Sequence, residues 1–457
     1  MSLRGRSVQL ASWGRFPVTP TELLRPARQD DLLSLLGERR YAALIGRGYG
    51  RSYGDAALNA GGAVVEQTRF DRLLAFDESA GVLVAEAGLR LKEILETFAP
   101  RGWFLPVTPG TKHVSLGGAL ACDIHGKNHH CDASFSSYVE WFELLTADGR
   151  IRRCSKAEQP DLFWATAGGM GLTGFILTVA LKLRRIETTY IGVDYARTRD
   201  LDETIERCEA EDHRYRYAVC WIDCLATGKR LGRSVLMRGD HLAAAELPAQ
   251  LRKHPLTLPR KREVTVPFSF PNGVINPLTV RAFNTAFYYQ HPKARSGAVV
   301  DFDSYFYPLD AVLEWNRVYG RRGFIQYQPA LPLETSRATL IKLLERLSQA
   351  KIASFLAVLK RFGPQEGLLS FPMPGYTLAL DIPMTGARML AVLDELDELV
   401  AQAGGRIYLG KDARLKPRHL EAMYPRLPEW RRIKQAVDPE GIFSSDLSRR
   451  VGLTPAS

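Results

Sequence analysis

Between residues 324 and 414 the spacing of apolar positions switches repeatedly between the two-residue period of strands and the longer period of helices. Residues 324–331 read as a strand, and 334–350 as a helix with Leu340, Ile341, Leu343, Leu344 and Leu347 on one side. Strands follow at 353–361 and 375–382. A second helix, 387–403, takes Thr385 as its N-cap and Gly404 just past its end, and a last strand spans 406–410. The order βαββαβ predicts a ferredoxin-like unit, an antiparallel sheet with helices on one face. Residues two apart on a strand share a face, so Gln326 and Gln328 point together, as do Thr377 and Ala379, while Lys360 interrupts an apolar strand. With helices over the other face, this polar set lines a cavity; the plainer reading is a sheet face in water.

Earlier in the chain the same patterning gives a helix at 30–39 (Leu32, Leu33, Leu35, Leu36 inward) and strands at 41–45, 63–67 and 83–87. A helix at 91–99 follows, with Leu91, Ile94, Leu95 and Phe98 in register. Residues 139–146 and 150–154 form a hairpin around Ala147-Asp148-Gly149, and 174–183 form a long apolar strand. The class is therefore α+β. Beyond about residue 191 the chain is more aromatic and irregular. The tail, 423–450, reads as a turn and an amphipathic helix returning to the first half.

Three glycine-rich loops interrupt these elements: GRGYGRSYGD (46–55), GTKHVSLGGALACDIHGKN (110–128) and GGMGLTG (168–174). The first departs from the Rossmann fingerprint, because Arg51 stands where the third glycine of GxGxxG belongs. Any phosphate there is held by main-chain N–H groups of a turn between strands, with Arg47 and Arg51 adding charge, and not by a helix N-terminus. Ser115, Gly117 and Gly118 keep side chains out of the way of a ligand. Three such loops predict one extended dinucleotide clasped from several sides, read here as FAD, and hence an oxidoreductase.

Composition narrows the surroundings of this chemistry. The 457 residues suffice for two or three domains, and 46% apolar with 24% charged content suits a soluble enzyme. The first twenty residues hold no apolar signal core, and the longest apolar run, 172–183, falls short of the roughly 20 residues that span a bilayer. A cytoplasmic protein is expected. A net charge of +11 favours an anionic partner, and basic density peaks in RKHPLTLPRKR (252–262). That stretch reads as a solvated loop or as a contact for anionic lipid; no nucleic-acid module accompanies it. The six cysteines form no CxxC pair, so reduced thiols are expected. His125 and His129 of HGKNHHC lie four apart, but Gly126 and Asn128 disfavour a helix and no HExxH partner exists, so no metal is expected. Neither GxSxG nor a GxxxxGK[ST] loop occurs.

Taken together, GRGYGRSYGD, PVTPGTKHVSLGGALACDIHGKNHH and DLFWATAGGMGLTGFIL resemble the vanillyl-alcohol oxidase (PCMH-type) flavoprotein family. The likeness continues through LDETIE (201–206), FPNG (270–273), EWNRVYG (314–320), FIQYQ (324–328), KDAR and AMYPR. It implies a two-domain fold, with an FAD domain of residues 1–190 completed by 405–457 and a substrate domain of 191–404. It places FAD among Gly46, Arg47, Gly48, Tyr49, Gly50, Arg51, Ser52, Tyr53, Gly54 and Asp55 of the first loop. In the second loop it adds Gly110, Ser115, Leu116, Gly117, Gly118, Cys122, Asp123, Ile124, His125 and Asn128; elsewhere it adds Gly171, Gly174, Ile176 and Tyr408. Relatives with covalent flavin carry histidine near Arg51; its lack here implies dissociable, non-covalent FAD.

The implied reaction is oxidation of the ribose 2-hydroxyl of a polyprenylphosphoryl-β-D-ribose to the keto sugar. An NADPH-dependent short-chain reductase then completes epimerisation to the arabinose donor for cell-envelope arabinan, with a quinone as candidate electron acceptor. Contact with the inner membrane face suits a lipid-linked substrate. The resemblance makes Lys411, His125 and Tyr53 catalytic, and Gln326, Gln328, Lys360, Thr377 and Trp221 substrate ligands, with Lys411 and Lys360 as the cations for the sugar phosphate. Mycobacterial members carry Cys and Asn where Ala379 and Thr377 stand. The alternatives are an oxygen-using oxidase of free alditols or aldonolactones, and a flavin-binding assembly subunit without chemistry.

Overall fold

The computed structural model describes residues 3–258 and 261–455, so the Pro259-Arg260 part of the basic stretch lies outside the described residues. Four strands, β1 (Arg6–Ala11), β2 (Val18–Leu24), β3 (Leu44–Arg47) and β4 (Ala63–Glu66), form a sheet in the order β1-β2-β4-β3. β3 and β4 are parallel, so the first glycine loop is a crossover between parallel neighbours. Helix α1 (Gln29–Glu38) buries Leu32, Leu35 and Leu36. It ends at Arg39, whose φ is 51°, and this exit delays the strand expected at 41–45 until Leu44.

β5 (Leu73–Asp77), β6 (Val82–Glu86), β7 (Val139–Leu145), β8 (Ile151–Ser155) and β9 (Phe175–Lys182) form an antiparallel sheet in the order β5-β6-β9-β7-β8. Gly149, at φ 75°, turns the predicted β7–β8 hairpin. Helix α2 (Leu91–Phe98) buries Leu91, Ile94, Leu95 and Phe98, the register read from sequence. Short helix α3 (Leu116–Ala121) lies within the second loop, and α4 (Pro160–Thr166) precedes the third.

The second half is organised on one nine-stranded antiparallel sheet. Its strands are β10 (Tyr190–Thr198), β11 (Tyr217–Ile222), β12 (Ser234–His241), β13 (Ala294–Asp301), β14 (Phe324–Tyr327), β15 (Pro329–Pro332), β16 (Ala357–Phe362), β17 (Gly375–Pro383) and β18 (Arg406–Ile407). They run β13-β10-β12-β11-β16-β17-β15-β18, with β14 also on β17. The part β16-β17-β15-β18 has the strand order of the predicted ferredoxin-like unit. Helices α5 (Leu201–Glu211), α7 (Leu333–Gln349) and α8 (Ala387–Gln402) cover one face, with Leu340, Leu343, Leu344 and Leu347 meeting Leu393, Leu396 and Val400 in the core. Helix α6 (Pro277–Gln290) lies apart from them.

Three local expectations are corrected. The strand at 324–331 is broken between β14 and β15 at Gln328, because Pro329 has no N–H to continue the ladder. Helix α8 is capped by Gly386 and not Thr385: the cap residue holds φ 114°, which favours glycine. The last strand stops at Ile407, where Tyr408 to Lys411 turn sharply, Lys411 N–H donating to the Tyr408 carbonyl (3.0 Å). The extension of the sheet through β10–β13 was not apparent in the sequence.

The tail returns to the first half as expected. In α9 (Leu427–Val437), the Trp430 indole N–H donates to the Ala165 carbonyl (2.9 Å), and Phe443 lies parallel to Leu44 of β3. Arg450, in α10 (Asp446–Arg450), holds Asp55 of the first glycine loop. All six cysteines are free, and no described helix is long and apolar enough to cross a membrane.

Candidate active site

One cavity of about 910 Å³ is lined on one side by the three glycine loops and on the other by the face of the large sheet opposite α7 and α8, with Phe283 and Phe287 of α6 also in its wall. That volume lies at the upper end for small-molecule sites.

The loop side is a main-chain wall. Gly46, Gly48, Gly50, Gly110, Gly118 and Gly171 all line it. A Cβ on Gly48 would lie 2.1 Å from Ser115 Oγ, and Gly50, at φ 63°, backs onto the Arg47 guanidinium. Ser115 Oγ in turn accepts from Gly118 N–H (3.2 Å), which fixes the side chain that Gly48 packs against. Arg47 gives its N–H groups to the carbonyls of Ala11 (2.8 Å) and Ala57 (3.1 Å), and burial lowers its pKa to about 10. It braces the loop. Arg51 lies over the Trp13 ring at 4.0 Å with Nε buried and unpartnered among the described residues. His113 shares this end. Burial and the nearby Arg51 and Lys92 push its pKa down to about 4, so it is neutral. Tyr49, Ser52, Cys122 and Ile124 complete this side.

Two residues on from Arg51, the Tyr53 ring carries the Lys411 ammonium 3.8 Å from its centre and meets Phe324 edge-on at 5.4 Å. Asp381, fully buried on β17, faces Gln326 of β14, whose amide donates to Asp381 Oδ1; Oδ2 has no partner among the described residues. Burial raises Asp381 to about 7 against the pull of Gln326 and Lys411. Burial lowers Lys411 to about 8, against the attraction of Asp381.

Gln328 fixes the tautomer of His125. The Thr377 hydroxyl donates to the Pro329 carbonyl (2.8 Å), so it accepts from Gln328 Nε2 (3.2 Å). The same amide nitrogen lies 3.0 Å from His125 Nε2, which must then accept, leaving the proton on Nδ1. Burial holds the imidazole pKa well below its usual value, so the ring is neutral, and Nδ1 is buried without a partner among the described residues. Tyr408 closes the wall, its ring stacked on Phe371 at 4.6 Å and its hydroxyl donating to the Cys122 carbonyl (2.8 Å). Lys360 and Trp221 also line the cavity from the sheet.

Several residues read from the sequence stand behind the wall. Asp55 is paired with Arg450, and a Cβ on Gly54 would meet the Asp412 carbonyl at 1.8 Å. Asp123 accepts from Ser136 N–H (2.9 Å), Gln365 and Ser370, while Asn128 donates to Pro106 (2.8 Å) and Asp132. Leu116, Gly117, Gly174 and Ile176 pack beneath the loops, and Thr377 acts through Gln328. His129 is absorbed by Ser134 and the Gly363 N–H. Sequence reasoning missed Asp381 and Lys127. Asp381 continues the alternation Thr377, Ala379 on one strand face, and Lys127 lies two past His125 in the central loop, so both signals were present.

A family model described as "FAD binding domain" matches residues 20–155, and one described as "D-arabinono-1,4-lactone oxidase" matches residues 323–451. The chain is 38% identical over 451 residues to a decaprenylphosphoryl-beta-D-ribose oxidase of Mycolicibacterium smegmatis, covering 97% of each. It is 38% identical to an uncharacterized Streptomyces coelicolor protein from the mprA 5' region, covering 80% of this chain and all of that one. An L-gulono-1,4-lactone dehydrogenase of Mycobacterium tuberculosis is 21% identical over 96% of this chain and 98% of its own.

Proposed function

The chain belongs to the decaprenylphosphoryl-β-D-ribose oxidase family of FAD-dependent oxidoreductases, and from that premise we propose that it oxidises the 2-hydroxyl of a polyprenylphosphoryl-β-D-ribose to the 2-keto sugar. The observation that carries the reading is a single cavity joining the glycine wall to a sheet face that bears Lys411, Gln326, Gln328 and Lys360.

The residues present fit FAD. A glycine-lined wall, with Arg51 Nε and His125 Nδ1 both buried and unpartnered among the described residues, suits a long ligand with anionic and aromatic parts. Gly46 to Tyr53, Gly110, Ser115, Gly118, Cys122, Ile124, Gly171 and Tyr408 would hold it, without a covalent link, since no histidine stands in the first loop. When bound, FAD supplies the two-electron acceptor for the hydrogen on the carbinol carbon.

The chain's own groups supply positioning and proton handling. Gln326 and Gln328 offer amides to sugar hydroxyls, and Gln328 keeps His125 as an Nδ1–H donor. Lys411 and Asp381 both exchange protons near neutrality, and Lys411 Nζ, at the open end of the pair, is the atom that steers or takes the hydroxyl proton. Tyr53 packs under that ammonium and excludes water from it. The product is the substrate for a reductase that completes the epimerisation, and a quinone serves as terminal acceptor.

The wall formed by residues 264–300 favours delivery from a membrane surface. Thr265, Phe283, Phe287 and Val300 line the cavity, while their neighbours Val264, Phe268, Leu278, Tyr289 and Val299 are exposed. Exposed apolar side chains adjacent in sequence to the cavity-lining ones, with Arg262 just before the segment and Arg281 in it, suit an anionic lipid face.

Anaerobic mixing of the yellow protein with polyprenylphosphoryl ribose, and separately with xylitol or an aldonolactone, tests the reading. Bleaching by the lipid-linked sugar alone is expected. Bleaching only by the lactone or polyol would replace it with the lactone-oxidase reading that the second family model favours.

A further inference from the structure

Resting on the reading above, we infer that Lys127 and Lys360 together form the anion subsite that grips the substrate's phosphodiester and places the ribose by its phosphate. Lys127 is pinned by its backbone: its carbonyl accepts from Ala218 N–H on β11 (2.8 Å). Its ammonium donates to the Tyr305 carbonyl and lies 4.2 Å from the centre of the Tyr305 ring. Lys360 stands on β16 in register with Thr377, on the cavity face.

The two lysines differ from Lys411 in one respect. Lys411 feels the Asp381 carboxylate, which lies beyond salt-bridge distance, whereas no carboxylate of the described residues acts on Lys127 or Lys360. Burial pushes Lys127 down to about 7, with Lys360 adding repulsion, and pushes Lys360 down to about 8. Their other charged or titratable neighbours, His125, His129 and Lys411, are neutral or cationic. Two neighbouring ammonium groups in an apolar wall are costly unless an anion lies between them.

Strand order then places the parts of the substrate. Reading across the sheet, β14, the β14–β15 break and β17 carry Gln326, Gln328 and Thr377; β16 carries Lys360; then β11, β12, β10 and β13 present Trp221, Met237, Tyr195 and Val300. The sequence is hydroxyl ligands, cation, apolar groove, which is the order ribose, phosphate, prenyl. At about 4.8 Å per strand the four apolar strands give roughly 15–20 Å of groove for the lipid.

The test uses holoenzyme with K127Q, K360Q and the matching arginine variants, assayed with farnesylphosphoryl ribose and with the uncharged farnesyl riboside. In each glutamine variant the ratio of kcat/KM for phosphodiester over riboside should fall at least about tenfold, mostly through KM, and arginine should restore much of it. A ratio unchanged in both glutamine variants overturns the subsite; so does an equal loss on both substrates, which marks a merely structural lysine. If wild-type enzyme oxidises neither compound, the functional reading fails, and farnesyl monophosphate binding, followed by flavin absorbance, still decides the subsite. Binding weakened by K127Q and K360Q supports it, and binding indifferent to both overturns it.

Discussion

Lys411 Nζ rests 3.8 Å above the Tyr53 ring, so a cation carried by the turn after the last strand is seated on an aromatic ring from the first glycine loop. The contact joins chain segments far apart in sequence. It also puts the ammonium at the meeting point of the glycine wall and the sheet face. A charge held in a low-dielectric site acts most strongly where charge develops during reaction. Lys411→Met is therefore expected to lower the rate of anaerobic flavin bleaching by about 100-fold or more, with flavin content unchanged. Stopped-flow absorbance on the yellow protein measures both. Full-speed bleaching would remove Lys411 from the reaction.

Gly48 offers a test of the cofactor wall that does not depend on turnover. Its Cβ position overlaps Ser115 Oγ at 2.1 Å, and Ser115 is the N-cap that accepts from Gly118 N–H. Gly48→Ala must displace Ser115, and the two loops then lose their shared fit to a flat ligand. FAD affinity is expected to fall by about tenfold or more. Flavin content after dialysis, and titration of the apoprotein with FAD, read this directly.

Much of this site was legible because period and position agree. The alternation that paired Gln326 with Gln328 and Thr377 with Ala379 placed them near the cavity, and strand order within the ferredoxin-like unit followed from βαββαβ alone. Asp381 continues the same alternation and was passed over because a lone aspartate near a strand end resembles a solvent-facing residue. Asp55, Asp123 and Asn128 erred the other way. They sit in glycine-rich loops that wrap a ligand, yet their side chains turn away to satisfy Arg450, Ser136 and Pro106. Loop sequence shows where the main chain comes close, but not which way each polar side chain points. The joining of β10–β13 to the ferredoxin-like strands rests on long-range pairings, such as Trp221 opposite Val358, that local periodicity cannot carry.

Arg450 ties the tail to the first glycine loop. It pairs with Asp55 at 2.7 Å and Asp412 at 2.9 Å, and both carboxylates are nearly inaccessible. Arg450→Ala leaves two buried acids without their cation, a change that costs about 3–5 kcal/mol where one partner of a buried pair is removed. Thermal unfolding of the holoprotein should show a clearly lowered Tm, and flavin should dissociate more readily because Asp55 closes that loop. An unchanged Tm would mean that water or a rearranged neighbour replaces the guanidinium.

Asp381 gives the pH dependence a definite sign. In the unfolded chain its carboxyl loses its proton near the ordinary value of 3.8, whereas burial holds the folded value at about 7. Between those values the folded state keeps a proton that the unfolded chain releases, so this residue's contribution to stability falls as pH rises from about 4 to 7. Asp381→Asn abolishes that component. The Tm difference, wild type minus variant, should decline as pH goes from 5 to 7.5, measured on holoproteins in matched buffers. The variant acts on catalysis with its own sign. Asp381 favours the charged form of Lys411, while burial and Lys360 oppose it, so removing the carboxylate lowers the lysine's pKa further. If the ammonium is the active form, the basic limb of kcat/KM against pH moves to lower pH in Asp381→Asn. A limb that stays in place, with the Tm trend intact, would leave Asp381 a role in stability alone and detach it from the lysine.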